Sequence, residues 1–447
     1  MKRRHFLQAS ALAALTANSP RWASAVMLDQ PLSLEKATAE AWLYGLMLIE
    51  NAQARARSLT NARANTLIHA YKLITPQSQS VTTPNNDTLY SRAWIDLAAG
   101  PVTLTMPDVG ERYVSYAFMD MYGNNFAILG SRTTGGSGDR VTLVGPNAST
   151  SDRSVIDRSV IRSPTRWVWL LVRLLVDDGD DVPAANALQN KMRLDGPKVS
   201  APPSYAKRSD SWPEYFASVQ SLLLENPPPI TDTAFFRRIA PLGLTPHGEF
   251  DAKRFSEADR KAIASGLTLA RRQLVGTRGS RVAGGWTYPK SSLGNYGQDY
   301  LYRAQVALAG LAALPPVEAM YMRPVAADGT NLLSSATPWR LHFDKIELPP
   351  VDAFWSLSMY RPTPDGQFYF FDNPIARYAI GDRTKGLKYN ADGSLDIWIA
   401  RDDPGTERRS NWLPAPPDEK FAVFFRAYMP RTEMLDGNYL LPAMEPA

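Results

Sequence analysis

The sequence predicts an α+β protein in which β-sandwich regions flank a helical insertion, behind an export leader. Three observations point there. Short segments that alternate with period two and end in glycine-rich turns fill residues 81–150 and return in the C-terminal part. Segments with apolar residues at spacings of three and four lie between and before them. The first residues follow neither pattern and have the composition of a signal peptide.

Lys2-Arg3-Arg4-His5-Phe6-Leu7 opens the chain, an apolar run follows from Ala9 to Ala17, and Ala23-Ser24-Ala25 presents small residues where a signal peptidase cuts. The paired arginines followed by Phe-Leu point to the twin-arginine route, cleavage after Ala25 and a periplasmic destination. The apolar run is too short to span a bilayer, which needs roughly 20 residues. The whole chain of 447 residues has a net charge of +5 and a pI of about 9.1. Lys2, Arg3, Arg4 and Arg21 carry most of that excess, so the mature chain is close to neutral and nucleic acid is not an expected partner. There is no cysteine, which excludes disulfides, thiolate metal sites and cysteine nucleophiles.

Residues 26–80 read as an N-terminal helical segment, with Ser33 as N-cap and Leu34, Ala37, Ala41, Tyr44 and Leu48 on one face. Residues 81–150 read as a first β region, with a clear alternation at Val102–Met106. Residues 151–320 read as helical. Trp167–Val172, bracketed by Arg166 and Arg173, is expected to be a buried helix rather than a membrane span. Ser211-x-x-Glu214 and Ser256-x-x-Asp259 are expected to be capping boxes, Pro227-Pro228-Pro229 a break, and Tyr300–Leu314 a further helix. Residues 321–447 read as the second β region, in which Asp392-Gly393 signals a hairpin turn before Leu395, Ile397 and Ile399. The two β regions share a phrase: Gly130-Ser131-Arg132-Thr133-Thr134-Gly135 and Gly381-Asp382-Arg383-Thr384-Lys385-Gly386, each downstream of an aromatic strand with a serine, Ser115 or Ser356. The pattern is that of a duplicated unit; the alternative is chance similarity in a short motif.

Two polar clusters stand out in the first β region. Asn85, Asn86, Asp87 and Tyr90 lie just before and in one strand, and Asp120 ends another. Asp87 and Asp120 are the candidates for a carboxylate pair, with Arg132 beside them. If they meet, they form one site on the loops at one end of a β scaffold. The alternative is that each cluster caps its own turn. In the second region, aromatic residues including Trp412 surround Asn373 and Arg377, a composition that suits a sugar or other polar ligand or, equally, a plain aromatic core. His69, His247 and His342 form no close pair, so neither a metal site nor a cofactor is expected. Asp177-Asp178-Gly179-Asp180-Asp181 reads as a solvated turn in which Asp180 or Asp181 caps the next helix, in preference to a calcium loop.

Thr83–Ser91, the strand ending in Asp120, Gly130–Gly135 and Ser163–Gln189 resemble the domain of unknown function family 1254. Tyr296–Ala304, Phe354–Tyr360, Asp372–Thr384, Leu387–Ile399 and Asn411–Pro417 resemble family 1214, which usually follows it. The resemblance implies a helical part combined with a jelly-roll-like β-sandwich, often exported, and no established reaction. Asn85, Asn86, Asp87, Tyr90, Asp120, Arg132, Tyr296, Arg303, Asn373, Arg377 and Asn411 match the recurring polar positions of the families. Two function classes stay open. One is a metal-independent enzyme acting on a polar or carbohydrate-like substrate through Asp87, Asp120 and Arg132. The other is a non-catalytic envelope protein that binds a glycan or small molecule through Asn85, Asn86, Tyr90, Asn373, Arg377 and Trp412. Expected partners are that small molecule or glycan and the twin-arginine export machinery. Stable membrane insertion is not expected, and a homo-oligomer is left open.

The leader predicts that replacing Arg3 and Arg4 together by lysine abolishes export, read by cell fractionation. Periplasmic protein at the wild-type level would refute the route.

Overall fold

The computed structural model describes residues 30–78, 82–148, 159–275, 281–417 and 419–447. The leader and its cleavage site lie outside the described residues. The chain forms two compact units, one of residues up to Ile49 with Tyr205–Gly276, the other of Glu50–Ser204 with Thr277–Ala447. Among the described residues no helix is long and apolar enough to cross a membrane.

The first unit is helical. Its elements are the N-terminal part of α1 (Leu34–Leu59), then, after α2 (Val182–Gln189) of the other unit, α3 (Trp212–Glu225), α4 (Thr233–Arg238) and α5 (Glu257–Val275). Both expected capping boxes form: Ser211 N–H donates to Glu214 Oε2 at 3.2 Å and Ser256 N–H to Asp259 Oδ2 at 3.0 Å. α1 packs closely because Gly45 faces Val219 and Gly266 of α5 lies on Glu35 and Thr38. Two buried tyrosines tie the helices: Tyr44 OH donates to Asp232 at 2.7 Å, and Tyr215 OH to the Trp42 carbonyl at 2.8 Å.

The second unit holds the sheets. The first half comprises β1 (Ile68–His69), β2 (Thr88–Asp96), β3 (Val102–Asp108), β4 (Val114–Met119), β5 (Asn125–Gly130), β6 (Ser137–Val144), β7 (Val160–Arg162), β8 (Trp167–Leu175) and β9 (Arg193–Asp195). They form two sheets, β1-β2-β8-β4-β5 and β7-β6-β3-β9, which share one apolar core built from alternate residues such as Ile95, Leu104, Phe118, Leu143 and Leu170. β10 (Arg281–Ala283), β11 (Trp286–Tyr288) and helix α6 (Tyr300–Ala309) lead into the second half: β12 (Ala319–Pro324), β13 (Leu333–Ser334), β14 (Trp339–Phe343), β15 (Val351–Pro362), β16 (Phe368–Tyr369), β17 (Ala379–Gly381), β18 (Leu395–Ala400), β19 (Trp412–Pro414), β20 (Lys420–Pro430), the short α7 (Thr432–Leu435) and β21 (Glu445–Pro446). Its larger sheet runs β11-β12-β20-β15, with β17 on β15, and its smaller sheet β19-β18-β14-β21.

The two halves repeat one another in the strands of their central sheets, while β10, β13 and β16 are additions of the second half. β6 pairs parallel with β7 and β18 parallel with β19, in otherwise antiparallel sheets. The larger sheets carry the same cross-strand row: Tyr90–Arg173–Ser115–Gly130 in the first half, Tyr321–Arg426–Ser356–Gly381 in the second. Val176 N–H donates to the Asp87 carbonyl and Met429 N–H to the Glu318 carbonyl, each at 2.9 Å, so Asp87 and Glu318 are also equivalent. The shared glycine phrase marks the same turn twice. A Cβ on Gly130 would lie 2.1 Å from the Val114 carbonyl oxygen, and one on Gly381 2.1 Å from that of Trp355. Only glycine lets the neighbouring strand backbone pass there.

Three expectations are corrected. Trp167–Val172 is strand β8, not a helix; it lies between β2 and β4, and a strand covered on both faces reads as a continuous apolar run. Residues 151–320 are therefore not one helical region, since strands of the first half continue to Asp195. The Asp392-Gly393 turn forms, with Gly393 at φ 87°, but the residues before it are not a paired strand.

Gly381→Ala is expected to lower stability by at least about 1–3 kcal/mol, because the clash is with backbone and no rotamer relieves it. Gly179→Ala, where a Cβ would meet nothing within 4 Å, should stay within about 0.5 kcal/mol. Urea titration of the two variants checks this.

Candidate functional site

The two halves meet through the outer faces of their larger sheets, where Tyr113, Ala117 and Leu175 pack on Phe354, Ala319 and Tyr428. Phe354 and Tyr428 stack at 4.1 Å. Polar groups run through this apolar seam, and two carboxylates cross it. Asp87 Oδ2 accepts from Ser356 Oγ at 2.6 Å, and Glu318 Oε1 accepts from Tyr113 OH at 2.8 Å. Burial pushes the Asp87 carboxyl pKa up, against the pull of the Arg426 guanidinium and the Ser356 hydroxyl.

Arg426 is 4% exposed and well bonded. Nη1 donates to Ser358 Oγ at 2.7 Å, and Nη2 to Tyr360 OH at 2.7 Å and to the Thr83 carbonyl at 3.2 Å. Its counterpart Arg173, 6% exposed, lies over the Tyr90 ring at 5.6 Å and donates through Nη2 to the Ala312 carbonyl at 3.1 Å.

The structure separates the residues expected to form one site. Asp87 precedes the Thr88–Leu175 pair and Asp120 follows the Met119–Trp169 pair, at opposite ends of the same sheet. Six residue steps along β8 separate those pairs, on the order of 20 Å, beyond a two-carboxylate site. The shared Asp87–Asp120 site of the sequence reading does not form, because β2 and β4 both run antiparallel to β8. Asp120 organises its own turn: Oδ1 accepts from Tyr122 N–H and Asn124 N–H at 2.9 Å, and Oδ2 from Asn124 Nδ2 at 3.0 Å. Burial nevertheless raises its pKa to about 6, against those hydrogen bonds and nearby Arg303.

Arg132 is at the Asp87 end and pairs with Glu318 at 2.6 Å. Asn85 bridges the seam, donating to Tyr428 OH at 2.7 Å and accepting from Asp87 N–H at 2.7 Å. Asn86 has a buried Oδ1 with no partner among the described residues, and Tyr90 sits beside Arg173. Asn373, Arg377 and Trp412 fall elsewhere. Asn373 Nδ2 donates to the Arg377 carbonyl at 3.0 Å. Arg377 Nη1 clamps the carbonyls of Arg409, Ser410 and Trp412, and Trp412 is buried with Nε1 on the Ala400 carbonyl at 2.8 Å. These three hold loops of the second half together. Of the aspartate-rich turn, Asp178 is the cap, Asp181 pairs with Arg112 and Asp177 with Arg383.

A cleft of about 230 Å³ opens beside the seam. Tyr288, Tyr302, Tyr321, Phe368 and Phe424 wall it, and Thr82, Thr83, Thr287, Gln305, Gln367 and Arg323 supply its polar atoms. Tyr321 and Thr83 belong to both cleft and seam, since Tyr321 pairs across the ladder with Arg426 and Thr83 accepts from it. Sequence reasoning missed Arg173, Glu318, Tyr321 and Arg426. The available signal was a lone charge inside an apolar strand, Trp167–Leu175 or Phe421–Met429, a position where an arginine is buried only with partners.

Asp382, whose carboxyl accepts from Trp355 N–H at 3.1 Å, is also raised to about 6, by burial first and by Asp87 as well. A carboxyl raised in the fold stabilises it fully below its ordinary pKa of about 3.9 and loses that contribution as pH rises through about 6. Stability is thus expected to fall between about pH 4 and 6, by on the order of 3 kcal/mol at most from Asp120. Asp120→Asn should flatten that part of the pH–stability curve; an unchanged slope would refute the assignment.

The description "Protein of unknown function (DUF1254)" matches residues 64–196 and "Protein of unknown function (DUF1214)" matches residues 318–432. The chain is similar in fold to the crystal structure of the VPA0106 protein from Vibrio parahaemolyticus, at TM-score 0.71 and 22% identity, over 93% of this chain and 100% of that one. A putative uncharacterized protein from Burkholderia cenocepacia aligns at TM-score 0.41 and 13% identity, over 88% of this chain and 84% of that one. No curated protein matches. With one match in each half of the sheet unit, the chain belongs to the paired families of unknown function DUF1254, on its N-terminal side, and DUF1214, on its C-terminal side.

Proposed function

We propose that this is an exported envelope protein that binds a small polar molecule with a ring-shaped body, such as a glycan unit, in the aromatic cleft of its sheet unit. The observation that carries the reading is the lining. Five aromatic rings offer flat apolar faces, while threonine hydroxyls, two glutamine amides and one guanidinium offer hydrogen bonds. No Asp, Glu or His is among those lining residues, so the cleft offers a surface for binding without a carboxylate acid or base. In this reading each half is a jelly-roll-like β-sandwich, and the cleft lies where helix α6 crosses the sheet of the second one.

A metal-independent enzyme is the second reading, and it rests on a different observation. Asp382 and Asp87 influence each other's charge, both have raised pKa values, and Ser356 donates to one of them. Carboxyls whose pKa is raised by burial are what acid–base chemistry uses.

The two readings separate on variants. Phe424→Ala with Tyr302→Ala should abolish binding of a mixed oligosaccharide and aromatic-acid library, read by ligand-observed NMR. Asp382→Asn should leave that binding unchanged. Bound compound that persists in the aromatic double variant would refute the cleft. Turnover of a bound compound that Asp382→Asn abolishes would favour the enzyme.

A further inference from the structure

The repeat allows residues on equivalent strands of the two halves to be compared directly. Arg426 and Arg173 occupy the same place, yet their surroundings differ. Ser358, which accepts from Arg426 Nη1, corresponds to Ala117, and Tyr360, which accepts from Nη2, corresponds to Met119. The counterpart of Asp87, which neighbours Arg426, is Glu318, and its charge is already matched by Arg132 at 2.6 Å. Arg173 Nη1 is consequently buried with no hydrogen-bond partner among the described residues. The tyrosines whose hydroxyls act electrostatically on Arg173 are Tyr321, Tyr90, Tyr428 and Tyr113. Of these, Tyr113 donates to Glu318 and Tyr428 accepts from Asn85.

Arg173 also adjoins the cleft. Tyr321 is part of the cleft wall, and so is Ala313, next to the Ala312 carbonyl that Nη2 reaches. Ala312 holds a φ of 65°, a strained conformation for a residue with a Cβ, which keeps that carbonyl turned to the guanidinium. A desolvated cation with a spare donor, set behind a tyrosine that lines an aromatic cleft, is a receptor for one negative charge.

We propose that Arg173, with Tyr90 and Tyr321, binds the carboxylate of a monoanionic ligand whose ring lies in the cleft. The inference rests on the cleft reading for the ring and on the repeat asymmetry for the charge.

Isothermal titration calorimetry with benzoate, its neutral analogue benzamide, formate and inorganic phosphate tests it. Benzoate is expected to bind, benzamide roughly ten- to a hundredfold more weakly, and formate weakly but measurably. Arg173→Met should remove the preference for benzoate. Ala117→Ser restores in the first half the hydroxyl that saturates Arg426 in the second, and should weaken benzoate at least about tenfold while preserving the fold. It decides the matter if Arg173→Met does not fold. Equal binding of benzoate and benzamide, unaffected by Ala117→Ser, would overturn the inference and leave the cleft reading standing. Formate binding that depends on Arg173, without benzoate binding, would support the charge receptor and overturn the cleft. Phosphate binding tighter than either acid, or no binding of either acid, would overturn the carboxylate assignment.

Discussion

Two carboxylates that reach across to the opposite half hold this sheet unit together. Asp87 leaves the first half to accept from Ser356 in the second; Glu318 leaves the second to accept from Tyr113 in the first. A buried carboxylate costs several kcal/mol unless paired and hydrogen-bonded. Each half therefore supplies what the other's acid requires. The apolar packing around Phe354 and Tyr428 gives the seam its area. The crossing acids fix its registry, since sliding one half by a residue would take Ser356 from Asp87 and Tyr113 from the buried Glu318.

That registry places the cleft. Tyr321 and Thr83 belong to opposite halves, share the Arg426 environment and also line the cleft. Moving either half would move one wall relative to the other. The aromatic walls thus inherit their geometry from a polar network behind them.

Much of this was legible from sequence, and the reasons for the rest are physical. Alternation named β3 through Val102, Leu104 and Met106, because that strand has one face on the core. The glycine phrase located both turns, because a turn that admits a passing carbonyl requires glycine. β8 was misread as helix, because a strand enclosed on both sides loses its period. The local clusters at Asn85–Tyr90 and Asp120 were visible as polar, but their separation was not, since strand order within a sheet leaves no trace in neighbouring residues. Arg377 and Trp412 looked like ligand contacts for the same reason; their carbonyl partners come from chain segments that composition does not connect.

The seam also constrains the order in which the chain can fold. Ser356 and Asp87 are 269 positions apart, and the helical unit's Tyr205–Gly276 segment is spun out between them. The first half can form its own core early in synthesis, but its outer face remains raw, with Asp87 lacking its donor, until β15 and β20 have emerged. Contacts this distant in sequence close late and slowly. During that interval Tyr113, Ala117 and Leu175 have nothing to pack on, and exposed apolar sheet surface of this kind is what makes a partly folded chain prone to aggregate.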